Sequence, residues 1–148
     1  MDFRTKIDIP KQNFEIDYSS KILLLGSCFT TQIGEILQDY KFNTFVNPFG
    51  VLYNPYSIRN SIEFLTTNKE FTTKDIIQTN PTDKISQKKY ASFFHHSSFA
   101  RLSKEEFLEN ANEHLRKASE FLKAADTVII TLGTSWIYKL KENGMVVS

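Results

Sequence analysis

Ser27 and Cys28 are the residues best suited to covalent chemistry in this chain: a hydroxyl and a thiol side by side, directly after the apolar run Ile22-Leu23-Leu24-Leu25-Gly26. That run suits a strand buried on both faces of a parallel sheet. Beyond the pair, Ile33, Ile36, Leu37 and Tyr40 recur at helical spacing, so Ser27 and Cys28 fall at a strand-to-helix turn. Open α/β sheets bind ligands beyond the carboxyl ends of their strands, and a helix starting there aims unpaired N–H groups and a positive dipole end at the turn. Such a setting favours a thiolate or a developing oxyanion. The other reading of the same cysteine is a small buried core residue. A second cluster, Phe93-Phe94-His95-His96-Ser97-Ser98-Phe99, sets two imidazoles and two hydroxyls among aromatics. Polar groups in such company are either satisfied against backbone or turned toward a site. The third histidine, His114, lies beside the apolar stripe of a helix and reads as part of its packing.

The elements that must position these groups follow from period and punctuation. Lys41 to Val46 has the β-branched and aromatic content of a second strand, ended by Asn47-Pro48-Phe49-Gly50. Asn54-Pro55 opens a helix with Ile58, Ile62 and Leu65 on one face. Thr72 or Thr73 can cap a short helix through Ile76 and Ile77, which Asn80-Pro81-Thr82-Asp83 breaks. Residues 66–102 are expected to form a surface excursion, and residues 1–20, with Pro10 and scattered apolar positions, a lead-in arm with an extended piece around Phe14 and Ile16. Ser103 with Glu106 is a capping box, and Leu108, Ala111, Leu115, Ala118, Leu122 and Ala125 form the stripe of a long helix. Thr127 to Leu132, ending at Gly133, repeats the buried-strand pattern. Trp136 to Leu140 and Met145 to Val147 read as a hairpin turned at Asn143-Gly144. In a parallel sheet the loops bearing Gly26-Ser27-Cys28, Gly50 and Gly133-Thr134-Ser135 all emerge at one edge, where they can meet.

Composition narrows the classes. A chain of 148 residues, 41% hydrophobic and 14% aromatic, is long enough for one domain with a real core. Eighteen Lys+Arg against 17 Asp+Glu leave a net charge of +1 with no basic run, which argues against a nucleic-acid or anionic-membrane footprint. No apolar stretch approaches the roughly 18 residues of a membrane helix, and Met1-Asp2-Phe3-Arg4 does not lead into a signal peptide, so a cytoplasmic location is expected. One cysteine forms no internal disulfide. Adjacent histidines without a carboxylate or thiol at ligand spacing are no metal signal, and one glycine in the opening turn is too few for a dinucleotide fingerprint, so neither metal nor cofactor is expected.

Leu25-Gly26-Ser27-Cys28-Phe29-Thr30, then Asn47-Pro48-Phe49-Gly50-Val51-Leu52-Tyr53-Asn54-Pro55, then Thr131-Leu132-Gly133-Thr134-Ser135-Trp136-Ile137-Tyr138 resemble, in order, the GSCFA family, named for Gly-Ser-Cys-Phe-Ala. Thr30 stands where the motif ends in Ala. The resemblance spans nearly the whole chain and implies a branch of the SGNH or GDSL hydrolases, which are esterases, lipases and acyl- or acetyl-handling enzymes. It implies a flavodoxin-like three-layer sandwich with a mostly parallel sheet, and a small-molecule or carbohydrate ester as substrate. Laid over the superfamily's Gly-Asp-Ser block, Cys28 takes the nucleophile position and Ser27 the Asp position; a slip of one makes Ser27 the nucleophile. The second block's oxyanion glycine corresponds to Gly50, with Asn47 as a nearby side-chain donor. In the third block Gly133 matches, Thr134 follows, and Ser135 occupies the place of the oxyanion-hole asparagine. The family's Asp-x-x-His block has no counterpart here. The resemblance therefore implies a fold incomplete at its C-terminus and leaves His95 and His96 as stand-ins for the base. A carbohydrate- or acyl-binding module without catalysis, on the same fold, is the alternative.

Overall fold

The computed structural model describes Thr5 and residues 7–67, 69–79 and 87–147. The breaker Asn80-Pro81-Thr82-Asp83 lies outside them. Ile22 to Leu25 are at most 1% exposed, because β1 (Lys21–Gly26) is the middle strand of a three-stranded parallel sheet. It pairs with β2 (Asn43–Val46) from Lys21↔Asn43 to Leu24↔Val46, and with β5 (Thr127–Thr131) from Ile22↔Thr127 to Gly26↔Thr131. The order β2-β1-β5 puts the carboxyl ends of all three strands at one edge.

Helix α1 (Cys28–Asp39) covers the face that carries Leu24 and Val46. Helices α2 (Pro55–Thr67) and α3 (Lys104–Lys123) cover the other, where Leu23 and Leu25 join Phe49, Leu52, Ile58, Leu65, Phe71, Phe99, Phe107 and Leu115 in one core. Each helix starts where its sequence says. The Asn54 side chain accepts from Ser57 N–H at 2.9 Å, and the Ser103 hydroxyl accepts from Glu106 N–H at 3.1 Å. A buried Ser119 hydroxyl donates to the Leu65 carbonyl at 2.6 Å and fastens α3 to the end of α2. Between the helices run a 3-10 turn (Thr73–Asp75) capped by Thr72, and a small antiparallel pair, β3 (Ile77–Thr79) with β4 (Lys89–Ala91). The tail closes as the hairpin β6 (Tyr138–Lys139) and β7 (Val146–Val147), with Gly144 at φ 71°. The result is the mixed α/β sandwich, with a parallel sheet between helices, that the sequence leads one to expect.

Two expectations need correcting. The stretch 66–102 is no simple surface excursion: Phe71, Ala91, Ser92, His95 and Phe99 are all buried. Asn112 of α3 holds both the N–H (2.8 Å) and the carbonyl (2.9 Å) of Phe71, so this segment is drawn onto the helix layer. The run Thr127 to Leu132 is not buried on both faces. Val128, Ile130 and Leu132 are 43–59% exposed, because among the described residues β5 pairs only with β1, and the helix layer that buries their register partners Leu23 and Leu25 does not reach out over Val128 and Ile130.

His95 belongs to this core. Its ring lies 4.7 to 5.6 Å, centroid to centroid, from Phe49, Phe71, Phe99 and Phe107. Nδ1 is hydrogen-bonded to the Ser92 hydroxyl at 2.7 Å, while Nε2 is buried without a partner. Burial, helped by repulsion from His114, pushes the imidazole down to about 3. An unfolded chain protonates His95 near its ordinary value of 6.5, whereas the fold resists until about 3. Stability is therefore complete above pH 6.5 and is lost as pH falls toward 3, by an amount on the order of a few kcal/mol. Burial also lowers His114, which acts in the same direction. Urea denaturation between pH 7 and 4.5, above most carboxylate titration, should show this decline, and His95→Phe should flatten most of it.

Candidate functional site

The glycine that ends β1 is where the strand-end loops converge. Gly26 N–H donates to the Asn47 side-chain oxygen at 2.8 Å, and its carbonyl accepts from Leu52 N–H at 2.8 Å. Asn47 spends its other side-chain group on the Thr31 hydroxyl at 2.9 Å, and its own N–H on the Leu24 carbonyl at 2.8 Å. Gly26 has φ 146°, and a Cβ there would overlap the Thr131 hydroxyl at 2.6 Å, so only glycine fits. Thr131, at the end of β5, is the second anchor: its hydroxyl accepts from Ser27 N–H at 3.1 Å and bonds the Ser27 hydroxyl at 3.0 Å and that of Thr30. The third loop is tied in by Tyr53, whose carbonyl accepts from Gly133 N–H (2.8 Å) and Thr134 N–H (3.1 Å).

This network separates Ser27 from Cys28. Ser27 is 6% exposed at the N-cap of α1, its hydroxyl turned away from the helix and held by Thr131. It is a clamp, and the reading in which Ser27 attacks a substrate fails on burial. Cys28, the first residue of α1, is exposed. Its thiol stands at the carboxyl edge of the central strand, on a helical turn where Thr30 N–H is taken by the Ser27 carbonyl at 3.0 Å and the Cys28 and Phe29 N–H groups precede any partner within the helix.

The same hydrogen bonds correct several expected roles. Gly50 N–H is spent on the Asn47 carbonyl at 2.8 Å, closing a turn in which Gly50 has φ 76° and rests against His96. Asn47 gives its side-chain oxygen to Gly26 N–H and one amide N–H to Thr31, which leaves the second amide N–H as its remaining donor. Gly133 and Thr134 N–H are held by Tyr53, and the Thr134 hydroxyl accepts from Trp136 N–H at 3.1 Å. Ser135 is exposed in the same loop. These residues shape the edge. Enclosure in the core removes His95 from the list of bases. His96 is better placed, half-buried where two cavities meet: one of about 660 Å³ beside β2 and one of about 390 Å³ toward Tyr53, Thr134 and Trp136. Ser98 N–H approaches His96 Nδ1 at 3.3 Å and the Ser98 hydroxyl lies 3.0 Å from the same nitrogen, so this edge of the ring is tied to its own turn. Among the described residues no imidazole is hydrogen-bonded to Cys28, and no group of His, Cys, Asp and Glu could hold a metal ion.

Thr131, Thr31 and the Tyr53 carbonyl do work that sequence reading did not assign. The available signal was Thr131 at the end of Val128-Ile129-Ile130, whose hydroxyl must find a partner where the strand enters the loops.

A parallel sheet ending in a glycine turn, with an exposed thiol opening the next helix and two neighbouring loops bonded to that turn, defines an α/β protein with a strand-end site. The model of the GSCFA family matches residues 21–148, and the chain belongs to that family. No curated protein and no solved structure matches it.

Because Asn47 anchors Gly26, Asn47→Ala should cost about 1–3 kcal/mol by leaving the Gly26 N–H unpaired. Asn47→Asp keeps the acceptor and tolerates φ 45°, so it should recover part of that loss. Guanidinium unfolding of the two variants checks this.

Proposed function

We propose that this domain is an SGNH-like hydrolase or acyltransferase acting on an ester, acetyl or acyl group, with Cys28 as its nucleophile. The observation that carries the reading is the contrast at the turn: the Cys28 thiol is exposed at the start of α1, whereas the Ser27 hydroxyl is buried and engaged. In the reaction, Sγ attacks the ester carbonyl and forms a C–S bond. The C–O bond to the leaving alcohol then breaks, and that oxygen takes the proton the thiol gave up. Water or a second acceptor resolves the thioester. The Cys28 and Phe29 N–H groups, which open α1, would serve the developing oxyanion. The His96 imidazole, in the wall shared by the two cavities, is a hydrogen-bonding partner for a substrate carbonyl or hydroxyl. Cys28 lines neither cavity, so a small-molecule or carbohydrate ester attacked by its thiol would place only its remoter groups against their mixed lining. We place the reaction in the cytoplasm, without nucleic-acid or membrane partners, on the near-neutral net charge of +1; among the described residues no helix is long and apolar enough to cross a membrane.

One observation favours a second reading. With the N–H groups of Gly50, Gly133 and Thr134 engaged and no base bonded to Cys28, the same cavities suit a carbohydrate- or acyl-binding module without turnover. Two measurements separate them. Iodoacetamide at neutral pH should label Cys28 faster than the same thiol in denatured chain. Hydrolysis of p-nitrophenyl acetate should fall to the uncatalysed background in Cys28→Ala. Labelling at the denatured rate, with no ester turnover in the unaltered chain, would leave the binding module standing.

A further inference from the structure

The larger cavity runs along an open strand margin. β2 pairs with β1 alone, and Asn47 N–H points to the Leu24 carbonyl of β1. Amides alternate in direction along a parallel strand, so Phe45 also faces β1, while Thr44 and Val46 turn their N–H and C=O groups outward. Thr44, Phe45 and Val46 all line the cavity. Consecutive strand residues point to opposite faces, so all three can do so only if the space lies along the strand's edge. Thr31, Glu35 and Gln38 of α1 overhang it on one side and His114 of α3 on the other, leaving room where a fourth strand would lie. The Thr44 hydroxyl is buried there without a partner.

The segment preceding β1 has the pattern of such a strand. Asn13-Phe14-Glu15-Ile16-Asp17-Tyr18 alternates polar and apolar without a break, yet Phe14 and Tyr18 are more than 60% exposed. A tight turn, with Ser20 N–H on the Asp17 carbonyl at 3.1 Å, reverses the chain just ahead of β1, so the arm arrives running against the sheet. Tyr18 already stacks on Phe42, the residue before β2, with ring centroids 4.7 Å apart. Continuing antiparallel from that contact sets Ile16 opposite Thr44 and Phe14 opposite Val46. Their side chains would share the α1 face with Val46.

We propose that residues 13–16 of this arm dock along the outer edge of β2 as a fourth, antiparallel strand and fill the 660 Å³ cavity. The structure shows the undocked state. Burying two apolar side chains is set against ordering a few residues, terms of similar size, so both states are populated and an occupant of the cavity displaces the arm. Cys28 does not line this cavity, so the docked arm leaves the thiol uncovered, and the docking stands whether or not Cys28 is a nucleophile.

The test uses the full chain with Cys28→Ala and the pair Phe14→Cys and Val46→Cys, oxidised at low concentration. A disulfide within one monomer is expected, forming faster than in a control pairing Ile9→Cys with Val46→Cys. Should the Val46 variant fail to fold, hydrogen exchange of the Thr44 and Val46 amides decides. It should quicken about twofold, the protection lost from a state near half populated, when Phe14→Asp and Ile16→Asp are introduced into the otherwise unaltered chain. Cross-linking no faster than the control, unchanged exchange, or disulfides found only in dimers would each overturn the proposal.

Discussion

Gly26 governs how the functional edge is built. Its N–H and carbonyl are both satisfied sideways, by Asn47 and Leu52 of the loop after β2, and its bare Cα lets Thr131 of the neighbouring strand come into contact. One residue thus joins three loops that lie far apart in the chain. The burial of β1 makes that junction rigid: Ile22 to Leu25 have no exposed surface to speak of, so the turn they carry cannot shift without opening the core on both faces. The chemistry at the edge inherits this rigidity. Cys28 is held on the first turn of a helix whose cap residue is locked to Thr131.

The adjacent hydroxyl and thiol show how one step along the chain changes chemical availability. At the N-cap, extended backbone (φ −73°, ψ −178°) directs the Ser27 side chain into the seam between β1 and β5. At the next position the chain is helical and the side chain leaves the seam. A buried threonine hydroxyl in the right place turns the serine into structure and leaves the sulfur outside.

Much of this was legible beforehand, for physical reasons. Five consecutive apolar residues ending in glycine can be read as a buried parallel strand, because only a strand covered on both faces tolerates that run. Ser103 and the stripe through Ala111, Leu115 and Ala118 announced α3, although Phe107, fully buried on the same helix, lay outside the expected stripe. What could not be read was which hydrogen bonds the loop residues make. Gly50, Gly133 and Asn47 are of the types that build oxyanion holes, but the same N–H groups also close turns, and only three-dimensional placement tells the two apart. His95 and His96 are equivalent in sequence, yet one ring enters a cage of four phenylalanines and the other lines a cavity. Residue type alone does not carry that difference. For β5 the pattern was right and the environment was not, since alternation and burial depend on a neighbouring strand that no local window contains.

The outer margin of β5 has a practical corollary. Thr127-Val128-Ile129-Ile130-Thr131 contains no lysine, no proline and no glutamate, the usual guards by which natural sheets keep strangers from zipping onto them. Left bare, it is a sticky seam. Such an edge is a template on which a second strand can pair, and a single lysine in place of Val128 or Ile130 would guard it.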